Sequence, residues 1–98
     1  MTELNLNDLE HTFVKTLFST LKSSGYDTNR IAINRKGKDI LNFQLDGLYQ
    51  FGRIKLNGRV TKMQIISGFG VTWYENETFD FYISQIPKWI KYINPLGK

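Results

Sequence analysis

Two aspartates and a lysine in the middle of the chain are the residue types of a metal-dependent nuclease site. Asp39 and Asp46 bracket the segment "DILNFQLDG", and Lys55 follows in "RIK". Such a site needs both carboxylates close enough to bind one metal ion. The alternating pattern between them predicts a strand, which would hold its ends about 23 Å apart at 3.3 Å per residue. The spacing therefore argues against nuclease chemistry.

Other catalytic groups have no partners at a useful spacing. His11 is the single histidine, and no acidic residue lies at a metal-ligand spacing from it. The chain has no cysteine, which excludes disulfides, thiolate zinc sites and cysteine nucleophiles. The segment "SGFG" lacks the spacing of a phosphate-binding loop, and no serine occupies a nucleophile elbow. We expect no enzymatic activity, no metal site and no cofactor.

Length and composition are typical of one folded domain. The 98 residues are 41% hydrophobic and 14% aromatic, enough for a single core. No apolar run is long enough to span a membrane, and the first residues carry acids where a targeting segment carries bases. We expect a single globular domain over residues 1–98, in the cytoplasm and without a membrane partner.

The positive charge is concentrated in the middle of the chain. The net charge is +4, but residues 30–62 contain eight basic and two acidic residues, whereas the rest contains five basic and seven acidic residues. This asymmetry favours an anionic partner, although a solvated basic face would have the same composition.

A helix is predicted over about residues 8–24. Asn7 and Glu10 have the spacing of a capping box, and Gly25 is suited to the left-handed conformation that ends a helix. Tyr26 would then fold back on Leu21. One stripe recurs at helical spacing, with Val14 and Phe18 beside it: Leu9, Phe13, Leu17 and Leu21.

From Asn29 the period changes to two, and three turns are predicted. Asp46-Gly47 and Asn57-Gly58 favour two-residue hairpins, and Gly37 favours a three-residue loop. Counting outward pairs Leu45 with Leu48, Ile33 with Asp39, Ile31 with Leu41 and Ile54 with Thr61, and it places Arg53 opposite Lys62.

These turns agree on one apolar face of the sheet, which the first helix would cover. Its predicted members are Ile31, Ile33, Leu41, Phe43, Leu45, Leu48, Ile54, Leu56, Met63 and Ile65.

The C-terminal part allows two interpretations of residues 78–83. A further hairpin would join "FGVTWY" to "TFDFYI" through Glu75-Asn76-Glu77, whereas a helix starting at Thr78 would carry Pro87 in its interior. We favour the hairpin, followed by a helix from about Gln85 to Ile93, with Ser84 as its N-cap and Pro87 in its first turn. The predicted fold is α+β, an antiparallel meander of four to six strands with a long N-terminal helix on one face and a short C-terminal helix.

The other face of the sheet carries the candidate binding residues. Cations beside aromatic rings suit single-stranded DNA or RNA, because rings stack on bases and cations neutralise phosphates. The candidates are Arg30, Tyr49, Phe51, Arg53, Lys55 and Lys62. In an alternative interpretation, the aromatic and aliphatic members of this face form a second small core beneath the C-terminal helix, and the cations only surround it.

The function predicted from the sequence is a small non-catalytic interaction module. It would bind a protein partner or form a homodimer, through an exposed sheet edge or through Trp73, Trp89 and Tyr92. The alternative is nucleic-acid binding by the basic and aromatic face.

Overall fold

The computed structural model describes residues 6–37, 39–68 and 70–97, without the side chains of residues 96 and 97. Its helices are α1 (Asp8–Ser23), α2 (Phe79–Ser84) and α3 (Ile86–Gly97), and a short 3₁₀ turn covers Thr28–Arg30. Its strands are β1 (Ile31–Lys36), β2 (Ile40–Leu45), β3 (Tyr49–Lys55), β4 (Lys62–Ser67) and β5 (Gly70–Glu75). The strands form one antiparallel sheet in the order β1-β2-β3-β4-β5, which confirms the predicted α+β class.

Both ends of α1 form as predicted. The Glu10 N–H donates to the Asn7 side chain at 2.7 Å, and the Asn7 N–H donates to Glu10 Oε1 at 3.0 Å, which completes the capping box. At the other end Gly25 has φ +90°, and the Tyr26 N–H donates to the Leu21 carbonyl at 2.9 Å. This is the Schellman arrangement, which satisfies the last carbonyls of the helix.

The predicted apolar stripe of α1 is buried, except for its first residue. Phe13, Leu17 and Leu21 are fully buried, whereas Leu9 is exposed. Glu10 is buried in addition, because its carboxylate receives two hydrogen bonds from Arg35 on β1, at 3.0 and 3.2 Å. This ion pair joins the start of α1 to the edge of the sheet, and the hydrogen bonds with Glu10 raise the pKa of Arg35.

The chain reverses near all three predicted turns, but the two hairpins predicted with two-residue turns have longer loops, residues 46–48 and 56–61, and the strand registers differ. Ile31 faces Leu45 rather than Leu41, a displacement of four residues, and Ile54 faces Met63 rather than Thr61, a displacement of two. Arg53 therefore lies opposite Asn42, and it is Lys55 that faces Lys62. Because both displacements are even, the side chains of these strand pairs keep their predicted faces, apart from residues 48–51.

The register differs from the prediction by an odd number of residues only between β2 and β3. Leu48, which was predicted on the apolar face, was therefore wrongly placed. Asp46 and Gly47 have the positive φ that the hairpin requires, but Leu45 pairs with Tyr49, and Leu48 is 75% exposed. A β-bulge then shifts the register between Phe43 and Gln44. The bulge restores the predicted alternation at Arg53 and leaves Phe51 as the extra residue of β3.

The C-terminal part differs most from the favoured interpretation. β5 pairs with β4 through the turn at Gly68, with residue 69 outside the described residues, and 79–84 is a helix rather than a strand. Thr78 caps α2, and Ser84 is the last residue of α2 rather than an N-cap. Pro87 lies in the first turn of α3 as predicted, but the helix continues through Pro95 to Gly97 rather than ending at Ile93.

α1 and α3 pack on the same face of the sheet, termed here the helix face. The Trp89 side chain of α3 lies on Gly52 of β3, and its indole N–H donates to the Gln64 carbonyl at 2.7 Å. Its ring contacts Phe13 of α1 and Phe43 of β2, with centroids 5.4 and 5.1 Å away. The core therefore lies between the sheet and the helices. The alternative interpretation of a second core on the opposite face was wrong, but Phe51, which it placed beneath the C-terminal helix, is indeed buried against Trp89 of α3.

Candidate interaction surfaces

The second face of the sheet, termed here the open face, has no helix packed on it in the part of the chain that the structure describes. By register it carries polar and basic side chains across all five strands, with few apolar ones. They include Asn34, Lys36, Ile40, Asn42, Gln44, Gln50, Arg53, Lys55, Lys62, Gln64, Val71, Trp73 and Glu75.

Hydrogen bonds between side chains order the middle of this face. Arg53 Nε donates to Asn42 Oδ1 at 3.0 Å, and the Asn42 amide donates to Asn34 at 3.3 Å. The Asn34 amide in turn donates to Gln44 at 3.2 Å. Asn42 is only 1% exposed although no helix covers it, since its neighbours on the sheet enclose it. These bonds hold the Arg53 side chain against the sheet.

Two further cations of the open face lie on β3 and β4, whereas Lys36 lies at the end of β1. Lys55 and Lys62 are directly opposite each other, with the Lys55 ammonium donating to the Val60 carbonyl at 2.8 Å. The Lys62 ammonium lies 5.2 Å from the centre of the Trp73 ring, within cation–π range. Glu75 lies opposite Lys62 on the other side. An aromatic ring therefore does lie among the cations, and it belongs to β5.

Two of the six candidate binding residues are not on the open face, and a third, Arg30, lies outside the strands. Phe51 was wrongly placed, because the bulge turns its side chain into the core, where it is fully buried against Trp89. Tyr49 was also wrongly placed, since it lies opposite Leu45 on the helix-face side, where it remains 44% exposed.

Arg30 precedes β1 and forms two hydrogen bonds to the Asp46 carboxylate, at 2.9 and 2.7 Å. Those bonds lower the pKa of Asp46. Arg53, Lys55 and Lys62 lie on the open face as predicted.

Strand β5 forms one edge of the sheet and, among the strands that the structure describes, pairs only with β4. The Asn76 N–H donates to the Thr61 carbonyl of the preceding loop at 2.8 Å, in register with the pairing of Glu75 and Lys62. Since alternate residues of a strand direct their backbone groups to opposite sides, Val71, Trp73 and Glu75 direct theirs away from β4. Their N–H and C=O groups therefore lie along the free edge.

A cleft of about 630 Å³ lies between the β4–β5 hairpin and α3. Ile65, Thr72 and Tyr74 line the side formed by the sheet. Lys88, Lys91, Tyr92 and Pro95 line the side formed by α3. The lining is mainly apolar, with two cations and two phenol groups, and the volume is within the usual range of ligand-binding clefts.

The residues singled out from the sequence account for only part of these surfaces. Trp73 was considered as an exposed aromatic residue, and it is 38% exposed, whereas Trp89, named with it, is fully buried. The cleft was missed, because it depends on α3 lying on the same side of the sheet as α1. A signal for the hairpin of β4 and β5 was present in "SGFG", whose glycines suit a tight turn.

Neither a metal site nor a membrane-spanning helix is found within the described residues. No group of three or more His, Asp or Glu side chains there is placed to hold an ion. None of the described helices combines the length and hydrophobicity needed to cross a bilayer. No protein-family model, curated protein or solved structure matches this chain.

Proposed function

We propose that this chain is a non-catalytic interaction module that binds an extended segment of another protein along β5. The observation that carries the proposal is the free edge of β5, where the backbone groups of Val71, Trp73 and Glu75 point outward. The Val71 and Trp73 side chains are 54% and 38% exposed beside that edge. An added strand would satisfy the backbone groups and cover both side chains, which is the mode of recognition called β-augmentation.

The opposite edge of the sheet, strand β1, carries charged side chains that disfavour pairing with another strand, whereas β5 carries few. Charged side chains are one of the devices by which natural edge strands resist unwanted pairing. β1 ends in Arg35 and Lys36, and its Arg35 is joined to Glu10 of α1. β5 has no charged residue before Glu75 at its end. An exposed, uncharged edge with two large apolar side chains is therefore suited to a partner strand.

Proline at position 71 is expected to abolish binding of peptides that use this edge. A library of random phage-displayed peptides is selected on the immobilised protein, and the dissociation constants of the selected peptides are measured by fluorescence polarisation. Val71→Pro removes an outward N–H without breaking the β4–β5 ladder, since proline is tolerated at edge positions whose N–H faces solvent. Val71→Ala is the matched control, because it removes the same side chain and keeps the N–H.

The proposal requires peptides that bind the wild type and Val71→Ala but not Val71→Pro. A second measurement leaves the protein unchanged and compares two N-methylated versions of a selected peptide, one methylated at its odd-numbered and one at its even-numbered backbone nitrogens. Only the version whose methylated nitrogens face β5 should bind more weakly. Failure to select any peptide, or equal binding to both variants, would contradict the proposal. A stable dimer in sedimentation velocity that Val71→Pro dissociates would also contradict it, because the partner would then be a second copy.

Nucleic-acid binding is a second candidate function, favoured by the placement of Arg53, Lys55 and Lys62 on an uncovered face with Trp73 beside them. Its geometry is that of a sheet that stacks bases on a ring and contacts phosphates with cations. Lys55 and Lys62, which face each other, would each be relieved of repulsion by a phosphate between them.

The salt dependence of oligonucleotide binding tests this second candidate. Binding of fluorescein-labelled oligo(dT) and oligo(rU) is measured from low to moderate salt. Lys55→Gln with Lys62→Gln is expected to reduce the slope of log K against log salt by about 1.4, at roughly 0.7 for each lost phosphate contact. The matched control, Lys15→Gln with Lys22→Gln, removes two exposed cations from α1. An equal slope in all three proteins, or no binding at low salt, would eliminate the open face as a nucleic-acid interface.

A further inference from the structure

The cleft between β5 and α3 adjoins the edge at which a partner strand is proposed to bind. Thr72 and Tyr74 belong to β5, direct their side chains to the helix face and line the cleft. Side chains directly opposite each other on paired strands lie about 4.5–5.5 Å apart. A strand added to β5 would therefore place every second side chain over this cleft, between β5 and α3.

The walls of the cleft combine apolar and positively charged surface. Ile65, Tyr74 and Tyr92 provide apolar or aromatic area, and the Tyr74 ring is held by an edge-on contact with Phe81 at 5.1 Å. Lys88 and Lys91 both line the cleft, and the Lys88 ammonium lies 5.9 Å from the centre of the Tyr74 ring. Among the described residues, no acidic side chain lines it.

Neither lysine is neutralised within the described residues. The ion pairs found there join Arg30 to Asp46 and Arg35 to Glu10, both away from the cleft. Two adjacent cations on one helix repel each other slightly, and a nearby carboxylate would turn that repulsion into attraction. The net charge of +4 on the chain also favours an acidic partner over a second copy of the same chain.

We infer that the segment bound along β5 is an acidic and apolar peptide whose alternate side chains enter the cleft, with its carboxylates meeting Lys88 and Lys91. This inference rests on the proposed function, since it takes β5 as the strand to which the segment is added. In the bound state, apolar side chains cover Ile65 and Tyr74, and acidic side chains lie toward α3. The peptide side chains that point to the open face need not be acidic or apolar.

A designed peptide tests the chemistry of the cleft. Leucine and glutamate alternate along one face of this fluorescein-labelled peptide, and threonine fills the other face. Two companion peptides replace glutamate by glutamine or by lysine. We expect the affinity to fall from the glutamate to the glutamine to the lysine peptide. Lys88→Gln with Lys91→Gln should weaken binding of the glutamate peptide about three- to tenfold, as expected for two partly exposed ion pairs, and should leave the glutamine peptide unchanged.

Lys15→Gln with Lys22→Gln is the matched control, because it lowers the net charge equally on exposed positions of α1. Equal affinity for the three peptides, or an equal loss in the two double variants, would overturn the inference. The proposed function would survive that result if library-selected peptides without acidic residues still lost binding to Val71→Pro. If no peptide from the library or from this series bound, both the inference and the proposed function would be wrong.

Discussion

Replacing Gly52 by alanine is expected to lower the free energy of unfolding by about 3 kcal/mol, the upper part of the usual range for overpacking. A Cβ at this position would lie 2.2 Å from Trp89 Cε2 and 2.6 Å from its Cδ2 and Cζ2. The indole is confined by three phenylalanine rings and by its hydrogen bond to the Gln64 carbonyl. Chemical denaturation followed by tryptophan fluorescence measures the effect.

Two further variants separate this clash from a general effect of losing a glycine. Gly68 has open space where a Cβ would be added, so Gly68→Ala is expected to change the stability by no more than about 0.5 kcal/mol. Trp89→Leu removes the ring that the new methyl group would meet, so combining it with Gly52→Ala should cost less than the two single changes added together. Wild-type stability in Gly52→Ala would show that Trp89 does not rest on this glycine.

Replacing Glu10 by glutamine is expected to lower the free energy of unfolding by about 3 kcal/mol. The carboxylate is 1% exposed and accepts hydrogen bonds from both terminal nitrogens of Arg35. Glutamine keeps the size of the side chain and an acceptor for the Asn7 N–H, but removes the carboxylate charge that is hydrogen-bonded to the guanidinium. This loss of stability is at the lower end of the range found when one partner of a buried ion pair is removed, because the Arg35 side chain is still 20% exposed to water. Thermal and chemical unfolding at neutral pH measure it.

The exposed ion pair of the protein provides the control for this prediction. Asp46→Asn weakens an ion pair of similar geometry with Arg30, but water screens both partners, so its stability should stay close to that of the wild type. Glu10→Leu with Arg35→Leu removes both buried charges and should recover part of the loss, since an apolar pair carries no desolvation cost. If Glu10→Gln were as mild as Asp46→Asn, the contact between α1 and β1 would not contribute as the geometry indicates.

The sequence determined the ends of α1 and, apart from residues 48–51, the division of side chains between the two faces of the sheet. The capping box at Asn7 and the Schellman end at Gly25 involve groups only a few residues apart, so local preferences suffice to form them. The faces depend only on a period of two. An even error in register, as between β1 and β2, therefore leaves Ile31 on the same side.

The candidate site depended on features that local patterns do not contain. Phe51 was expected beside the cations of the open face, but the bulge in β3 turns it into the core, and Trp73 provides the exposed ring instead. Nothing within the hairpin signals this bulge. It brings Phe51 and Gly52 beneath Trp89, a residue far away in the chain.

Tertiary structure alone decided which face of the sheet α3 covers. Its apolar side chains would have suited either face as judged from their spacing, because amphipathicity selects a buried side of the helix but not the surface that buries it. The helix face offers Gly52, where the backbone is bare and the Trp89 ring can lie directly on it, together with the Gln64 carbonyl as acceptor for the indole N–H. That long-range fit leaves the opposite face open and forms the cleft beside β5.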